Sequence, residues 1–187
     1  MRDIGAKERL SKSALELFGR KGIAGATVAE IAKRARCSQA ALYKHWDGKD
    51  PLAFALFESA HVELVDGMRD AADGWEDPSR RAVGALVGFL HYARFHPEEF
   101  GLLFQVFHTD YSKWLTRVEK PSDVIMREVA QGMQSGVLPQ GDIGLKSAML
   151  LGMTIRVALF ERQNLIRCDP VTTDRELAAG AAAVLGV

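Results

Sequence analysis

The chain has 187 residues, 48% of them apolar, which is enough for a compact core in one domain or in a small domain joined to a larger one. Lysine and arginine total 24, and aspartate and glutamate also total 24, so the overall charge does not indicate a nucleic-acid partner. The two cysteines, Cys37 and Cys168, lie far apart and match no metal-binding or disulfide spacing, which predicts two plain buried or half-buried thiols.

The charge is unevenly distributed along the chain. Residues 1–50 hold eleven Lys or Arg and six Asp or Glu, a net charge of +5, whereas residues 51–187 hold thirteen and eighteen, a net charge of −5. A basic N-terminal part on an acidic remainder suits nucleic-acid binding by the N-terminal part alone, although ordinary scatter of charges is the alternative.

No signal or membrane segment is evident. The N-terminus lacks an apolar signal core, which predicts a cytoplasmic protein without a membrane partner. The most apolar stretch, residues 143–160, is interrupted by Lys146 and Arg156, which favours a buried helix over a membrane span.

Helical spacing and helix-ending residues occur along the N-terminal part, without sustained strand alternation. A first helix is predicted to end near Gly22, and the capping box from Thr27 to Glu30 opens a second helix. Ser38 caps a short third helix that extends to about Trp46.

The same signals predict helices through the rest of the chain. A fourth helix begins near Lys49, and a second capping box, from Thr173 to Glu176, opens the last helix. The fourth helix is predicted at about 49–72. Further helices are predicted at about 78–95, from 97 onward, at 122–135 and at 142–164, with a loop near 110–122. The sequence predicts an all-α fold of about nine helices. A three-helix helix-turn-helix domain at 1–48 precedes a larger helical ligand-binding and dimerisation domain at 49–187.

The third predicted helix has the side chains of a DNA-recognition helix. Only Leu42 and Trp46 are spaced for burial. On the other face Gln39 can hydrogen-bond adenine, while Ala40 permits close approach and can contact a thymine methyl group. Phosphate contacts are predicted at helix ends and cationic or hydroxyl side chains. The predicted DNA-binding residues are Thr27, Ser38, Gln39, Ala40, Tyr43, Lys44, His45 and Lys49.

The run from Arg9 to about Leu56, above all TVAEIAKRARCSQAALYKHWDGKDPL, resembles the DNA-binding domain of the TetR (tetracycline-repressor) family. The resemblance implies that Ser38, Tyr43, His45 and Lys49 contact DNA. For individual residues alternatives stay open: Tyr43 can pack between helices, His45 can be structural, and Gln39 and Lys44 can be merely solvent-exposed.

The sequence departs from the family pattern at three positions near this helix. Arg36 stands where the family usually has a glycine, Trp46 replaces a phenylalanine and Gly48 replaces a capping serine. If position 36 needs a positive φ, arginine there costs about 1 kcal/mol. None of the three changes removes a predicted DNA contact.

The remaining helices suit a dimer and a ligand cavity. The helix at 142–164 is apolar nearly all round, and small residues in 173–186 allow close approach, so both are predicted to form a homodimeric four-helix bundle. The alternative is burial within one chain. Aromatic, methionine and polar side chains that can line a cavity, or simply form the core, are Phe89, Tyr92, Phe104, Phe107, His108, Met126, Met149, Met153 and Arg156, with Trp114 and Met133 as further aromatic and methionine candidates.

The sequence therefore predicts a DNA-binding transcriptional regulator, by default a repressor, that a small-molecule ligand releases from a palindromic operator. No catalytic motif is present, and His91, His96 and His108 lack the spacing of a helical zinc pair, so we expect no enzyme activity, cofactor or metal. A ligand-independent architectural or division-control DNA-binding protein is the alternative, and a chain whose helix-turn-helix has lost DNA binding is a third.

Overall fold

The structure is a computed structural model that describes residues 5–107, 114 and 119–187. Within these residues the regular structure is helical, which confirms the all-α class and the expected nine helices. The helices are α1 (Ala6–Gly25), α2 (Val28–Arg34), α3 (Gln39–Tyr43), α4 (Lys49–Asp73), α5 (Pro78–Phe95), α6 (Pro97–Phe107), α7 (Pro121–Gln134), α8 (Ile143–Arg162) and α9 (Pro170–Leu185). Most of the predicted loop at 110–122 lies outside the described residues.

The chain divides into two compact units. The first unit comprises Met1–His61 and Glu98–Val118, and the second comprises Val62–Pro97 and Glu119–Val187. Lys49–His61 belongs to the first unit, where Leu52 and Phe57 are fully buried. The functional boundary that we predict between residues 48 and 49 therefore differs from this division by compactness, and it stays a prediction.

The core of the first unit joins α1, α2 and α3. Leu10 and Phe18 of α1, Ile31 of α2 and Leu42 of α3 are fully buried. The predicted end of the first helix corresponds to a break at Gly22, whose φ of 76° and ψ of 163° are not helical, and one more turn follows it. Apolar residues at helical spacing thus hold the three helices together.

Helix α5 is central to the second unit and packs against α7, α8 and α9. Two glycines on its remaining side face α4. A Cβ atom at Gly84 would lie 2.5 Å from the carbonyl oxygen of Ala71, and one at Gly88 would lie 2.8 Å from that of Gly67. The backbones of α4 and α5 therefore approach too closely for any other residue type at these positions.

Helix α8 is less buried than its composition predicts. Its buried residues form one stripe, at Ser147, Leu150, Thr154 and Ala158. In the single chain α8 is buried along this one side, because apolar side chains such as Leu145, 62% exposed, lie at the surface, and burial of a further side by a second chain stays a prediction. By length and composition α8 is also the one helix, among the described residues, that could cross a membrane, which is weak evidence for such a role.

Helix α9 begins earlier than predicted. Asp169 caps it by accepting a hydrogen bond from the amide of Thr172 at 3.0 Å, and Pro170 occupies the first turn. Thr173 is buried inside the helix, where its hydroxyl donates to the carbonyl oxygen of Asp169 at 3.2 Å. The capping box predicted from Thr173 to Glu176 is therefore wrong, because the Asp-Pro pair provides the helix start.

Candidate nucleic-acid interface

The predicted capping box at the start of α2 is confirmed. The hydroxyl oxygen of Thr27 accepts a hydrogen bond from the amide of Glu30 at 3.2 Å, and the carboxylate of Glu30 accepts one from the amide of Thr27 at 3.1 Å. An ion pair with Lys21 and the hydrogen bonds with Thr27 lower the pKa of Glu30, so its carboxylate stays charged near neutral pH. This fixes the entry into the helix-turn-helix while leaving Thr27 exposed.

The turn between α2 and α3 contains a left-handed residue. Arg36 has φ of 53°, and the amide of Cys37 donates to the carbonyl oxygen of Ala32 at 2.9 Å, which closes the end of α2. Position 36 therefore has the positive φ for which an arginine is expected to cost about 1 kcal/mol. An arginine occupies a backbone conformation that favours glycine.

Replacing Arg36 with glycine is expected to raise the free energy of unfolding by about 1 kcal/mol, because the left-handed conformation no longer strains a Cβ atom. Chemical denaturation monitored by circular dichroism measures the change. Lys33→Gly is the matched control, since Lys33 is exposed inside α2 and glycine there is expected to cost about 1 kcal/mol. A loss of stability in Arg36→Gly contradicts the proposed strain.

Helix α3 is short and anchored on one side. Ser38 caps it by accepting a hydrogen bond from the amide of Ala41 at 3.1 Å. The helix ends at Tyr43 and not near Trp46 as predicted, although the amide of Trp46 still donates to the carbonyl oxygen of Leu42 at 3.0 Å. Leu42 is fully buried and Trp46 is half-buried, so the predicted inner face of this segment is found.

The opposite face of α3 is open to solvent. The side chains on this face belong to α3 and to the residues directly before and after it, and the side chain of Tyr43 is 54% exposed. Exposed residues on or beside α3 are Ser38, Gln39, Ala40, Tyr43, Lys44 and His45. Since residues 38–46 contain no acidic side chain, the surface that the structure assembles is neutral to basic. Such a surface can approach the phosphates and base edges of DNA.

Lys49 lies beside this surface but makes a contact within the protein. It is half-buried, and its ammonium group donates to the carbonyl oxygen of Ala24 near the end of α1, at 3.3 Å. An ammonium group has three donors, so Lys49 can contact a phosphate while keeping this hydrogen bond. The sequence spacing of 25 residues gave no sign of this second role.

Two further basic residues support the helix-turn-helix, and the sequence analysis missed both. Arg9 of α1 donates to the carbonyl oxygen of Ala35 at 3.3 Å and to the sulfur of Cys37 at 3.6 Å, and so braces the turn before α3. The ammonium group of Lys7 lies 5.9 Å from the ring centroid of Trp46, which adds a positive charge beside α3. No periodic pattern could reveal contacts over such sequence distances.

The predicted ligand-cavity residues are spread over the chain. Phe89 and Tyr92 are buried in the second unit, whereas Met126 and Met149 are 40% and 50% exposed. Met153 is half-buried, Arg156 is exposed over the ring of Phe160, and Phe104 is a half-buried residue of the first unit. His108 and the side chain of Phe107 lie outside the described residues. A common cavity for this set stays a prediction.

Comparison with known proteins identifies the N-terminal part. Residues 10–56 match the family model described as bacterial regulatory proteins, tetR family. The chain is 31% identical over 101 residues to the HTH-type transcriptional repressor SCO4008 of Streptomyces coelicolor. This match covers 52% of this chain and 47% of that protein. It is 30% identical over 93 residues to the HTH-type transcriptional activator FasR of Mycolicibacterium smegmatis, covering 50% and 42%. The matches thus span just under half of each relative's length.

The whole fold has close counterparts among solved structures. A bacterial regulatory protein in the tetR family from Rhodococcus RHA1 superimposes with a TM-score of 0.83 and covers 98% of each chain at 17% sequence identity. At this identity the likeness shows that the fold is shared over both units.

Proposed function

Because the chain belongs to the tetR family of bacterial regulatory proteins, we propose that it regulates transcription by binding operator DNA through α3. The observation that carries this proposal is the exposed face of α3, which is held from behind by the fully buried Leu42. The proposed contacts divide by chemistry. Gln39 and Ala40 meet base edges, whereas Lys44, Lys49 and the hydroxyl groups of Thr27, Ser38 and Tyr43, with His45, meet phosphates.

The proposed regulator acts as a homodimer through α8 and α9, about residues 142–164 and 173–186. Support comes from the apolar side chains that α8 leaves exposed in one chain, among them Leu145 and Met149. A two-fold dimer presents two recognition helices, so a palindromic operator would have half-sites one helical turn, about 34–36 Å, apart. The DNA lies in the bacterial cytoplasm, which is therefore the proposed location.

Release from DNA is proposed to follow the binding of a small molecule to the second unit. Such a ligand changes DNA affinity only if it binds the DNA-competent and the released conformations with different affinities. Repression by blocking polymerase is the simplest outcome. Ligand-controlled DNA binding can also activate transcription, and the two curated relatives are described as a repressor and an activator.

Selection of bound sequences from a random DNA pool, followed by gel-shift titration at several salt concentrations, tests this function. We expect Lys44→Ala to weaken binding to all sequences and to reduce the salt-dependence slope by about one. Gln39→Ala should instead relax the preference at one base position. Arg167→Ala, which removes an exposed charge from the second unit, is the matched control. A pool without a selected sequence, or an unchanged slope in Lys44→Ala, contradicts the proposal.

A further inference from the structure

The second unit contains a groove of about 610 Å³ that runs along α5, between the end of α4 and helix α9. Its walls are mainly apolar and include Trp75 after α4, Val83 and Val87 of α5, and Ala178 and Ala182 of α9. A concave, largely apolar space of this volume is typical of small-molecule sites.

The base of the groove is formed by backbone. Gly84 and Gly88 line it, and these are the positions where a Cβ atom would collide with the carbonyl oxygens of Ala71 and Gly67. The tight packing of α4 on α5 therefore keeps this base free of side chains. Such a groove exists before a ligand arrives, which reduces the ordering that binding requires.

Charged groups lie at both ends of the groove, and those at the α9 end are balanced within the protein. There the carboxylate of Asp174 forms an ion pair with Arg94 at 2.7 Å and a contact with the imidazole of His91 at 2.9 Å. Arg175 pairs with Glu176 at 3.3 Å. Arg94 is also paired with Glu161 at 2.7 Å, so this end offers no unpaired arginine to a ligand.

The end at the start of α5 differs, because Arg80 takes part in none of the ion pairs among the described residues. The guanidinium carbon of Arg80 lies 5.3 Å from the ring centroid of Trp75, which holds the cation against the apolar wall. The nearby carboxylate of Asp77 caps α5. It accepts hydrogen bonds from the hydroxyl of Ser79 and from the amides of Ser79 and Arg80, and these hydrogen bonds lower its pKa. The side chain of Arg80 thus remains available to an anion.

We propose that this groove binds an organic anion with an elongated apolar body, whose anionic group meets Arg80 and Trp75. The apolar body lies along Val83 and Val87 toward His91. From Arg80 to His91 an α-helix rises about 16 Å, which sets the length of body that the groove accommodates. The role of this ligand as the regulatory signal rests on the proposed function.

Isothermal titration calorimetry of the full chain with decanoate tests the site, with decan-1-ol and decyltrimethylammonium as neutral and cationic probes of equal chain length. We expect decanoate to bind, and the cationic probe to bind at least about tenfold more weakly. Tryptophan fluorescence should change on decanoate binding, and the change should disappear in Trp75→Phe.

Two variants locate the ligand in the groove. Arg80→Ala should weaken decanoate binding about tenfold or more, because it removes the charge-assisted contact. Arg167→Ala, the matched control, removes an exposed charge of the second unit outside the groove and should leave it unchanged. Val87→Trp should fill the apolar part and abolish binding, and since Arg80 is exposed, Arg80→Ala remains informative even if Val87→Trp fails to fold.

The proposal is overturned if decanoate does not bind, if the cationic probe binds equally well, or if Arg80→Ala binds like the unchanged chain. These measurements use no DNA. A chain that binds decanoate as described but selects no DNA sequence would support the groove and overturn the proposed function, so the two failures are distinguishable.

Discussion

Replacing Arg81 with alanine is expected to lower the free energy of unfolding by about 3 kcal/mol, because the buried carboxylate of Glu128 loses its shortest ion pair and keeps only the longer one with Arg127, at 3.5 Å. Glu128 of α7 is 1% exposed, and its carboxylate accepts a hydrogen bond from the guanidinium of Arg81 at 2.7 Å. Arg81 also donates to Asp73 at 2.8 Å. The hydrogen bonds that Arg81 donates to Glu128 and Asp73 raise the pKa of Arg81, which therefore stays charged at any ordinary pH.

Denaturant unfolding followed by circular dichroism measures this loss, and two further variants identify its cause. The double variant Arg81→Met with Glu128→Leu removes both charges and should recover most of the stability. Arg175→Ala breaks an ion pair whose side chains are about 70% exposed and should change stability by less than about 0.5 kcal/mol. A single variant as stable as the unchanged chain would show that Glu128 finds another partner or reaches water.

Arg81 and Glu128 belong to a chain of ion pairs that joins three helices. Arg127 pairs with Glu128 and also with Glu119, at 3.5 and 3.0 Å, and Glu119 pairs with Arg69 of α4. Because Arg81 returns to Asp73 of α4, the chain of pairs fixes the end of α4 against α5 and α7. Removing its buried member should therefore affect the second unit more than removing any exposed pair.

The helix starts were predictable because their chemistry is local. Thr27 and Glu30 are three residues apart, Ser38 caps the amide three residues on, and Asp142 does the same at α8. Such hydrogen bonds form within one turn, so the sequence pattern contains both partners. Where two starts compete, as in Asp169-Pro170 and Thr173, the pattern alone does not decide between them.

The anchoring contacts were not predictable, since their partners are far apart in sequence. Lys49 reaches Ala24 over 25 residues, and Arg81 reaches Glu128 over 47. A charged side chain gives no sequence signal that distinguishes a solvated group from one held by a distant partner. For a related reason the sequence left two alternatives open for α8, because an apolar helix has the same pattern whether it lies in its own core or on a surface that a second chain covers.

The exposed face of α3, which we propose contacts DNA, was easier to predict from the sequence than the groove that we propose binds a ligand. On α3 the residues at burial spacing are few, so the outward side chains follow directly from Leu42 and its helical period. The candidate ligand residues are aromatic groups and methionines of long helices, which are equally typical of a core. The groove over α5 depends instead on Gly84 and Gly88, whose close approach to α4 requires the three-dimensional packing.

Two neighbouring residues of α3 should separate its anchoring from its function. Leu42→Ala is expected to lower the free energy of unfolding by about 2–5 kcal/mol, because Leu42 is fully buried and truncation leaves a cavity. Tyr43→Ala should change stability by less than about 0.5 kcal/mol, because the side chain is mainly exposed. Denaturant unfolding of the two variants side by side measures this contrast.

Gel shifts with the selected DNA should show that Tyr43, unlike Leu42, contributes directly to DNA affinity. At a temperature where both variants are folded, Tyr43→Ala should bind all sequences about tenfold more weakly through loss of a phosphate hydrogen bond to an otherwise intact surface. Tyr43→Phe keeps the ring and removes the hydroxyl, so it should match Tyr43→Ala in DNA affinity. If Tyr43→Ala unfolds as readily as Leu42→Ala, Tyr43 packs between helices, and the surface that contacts DNA must be assigned without it.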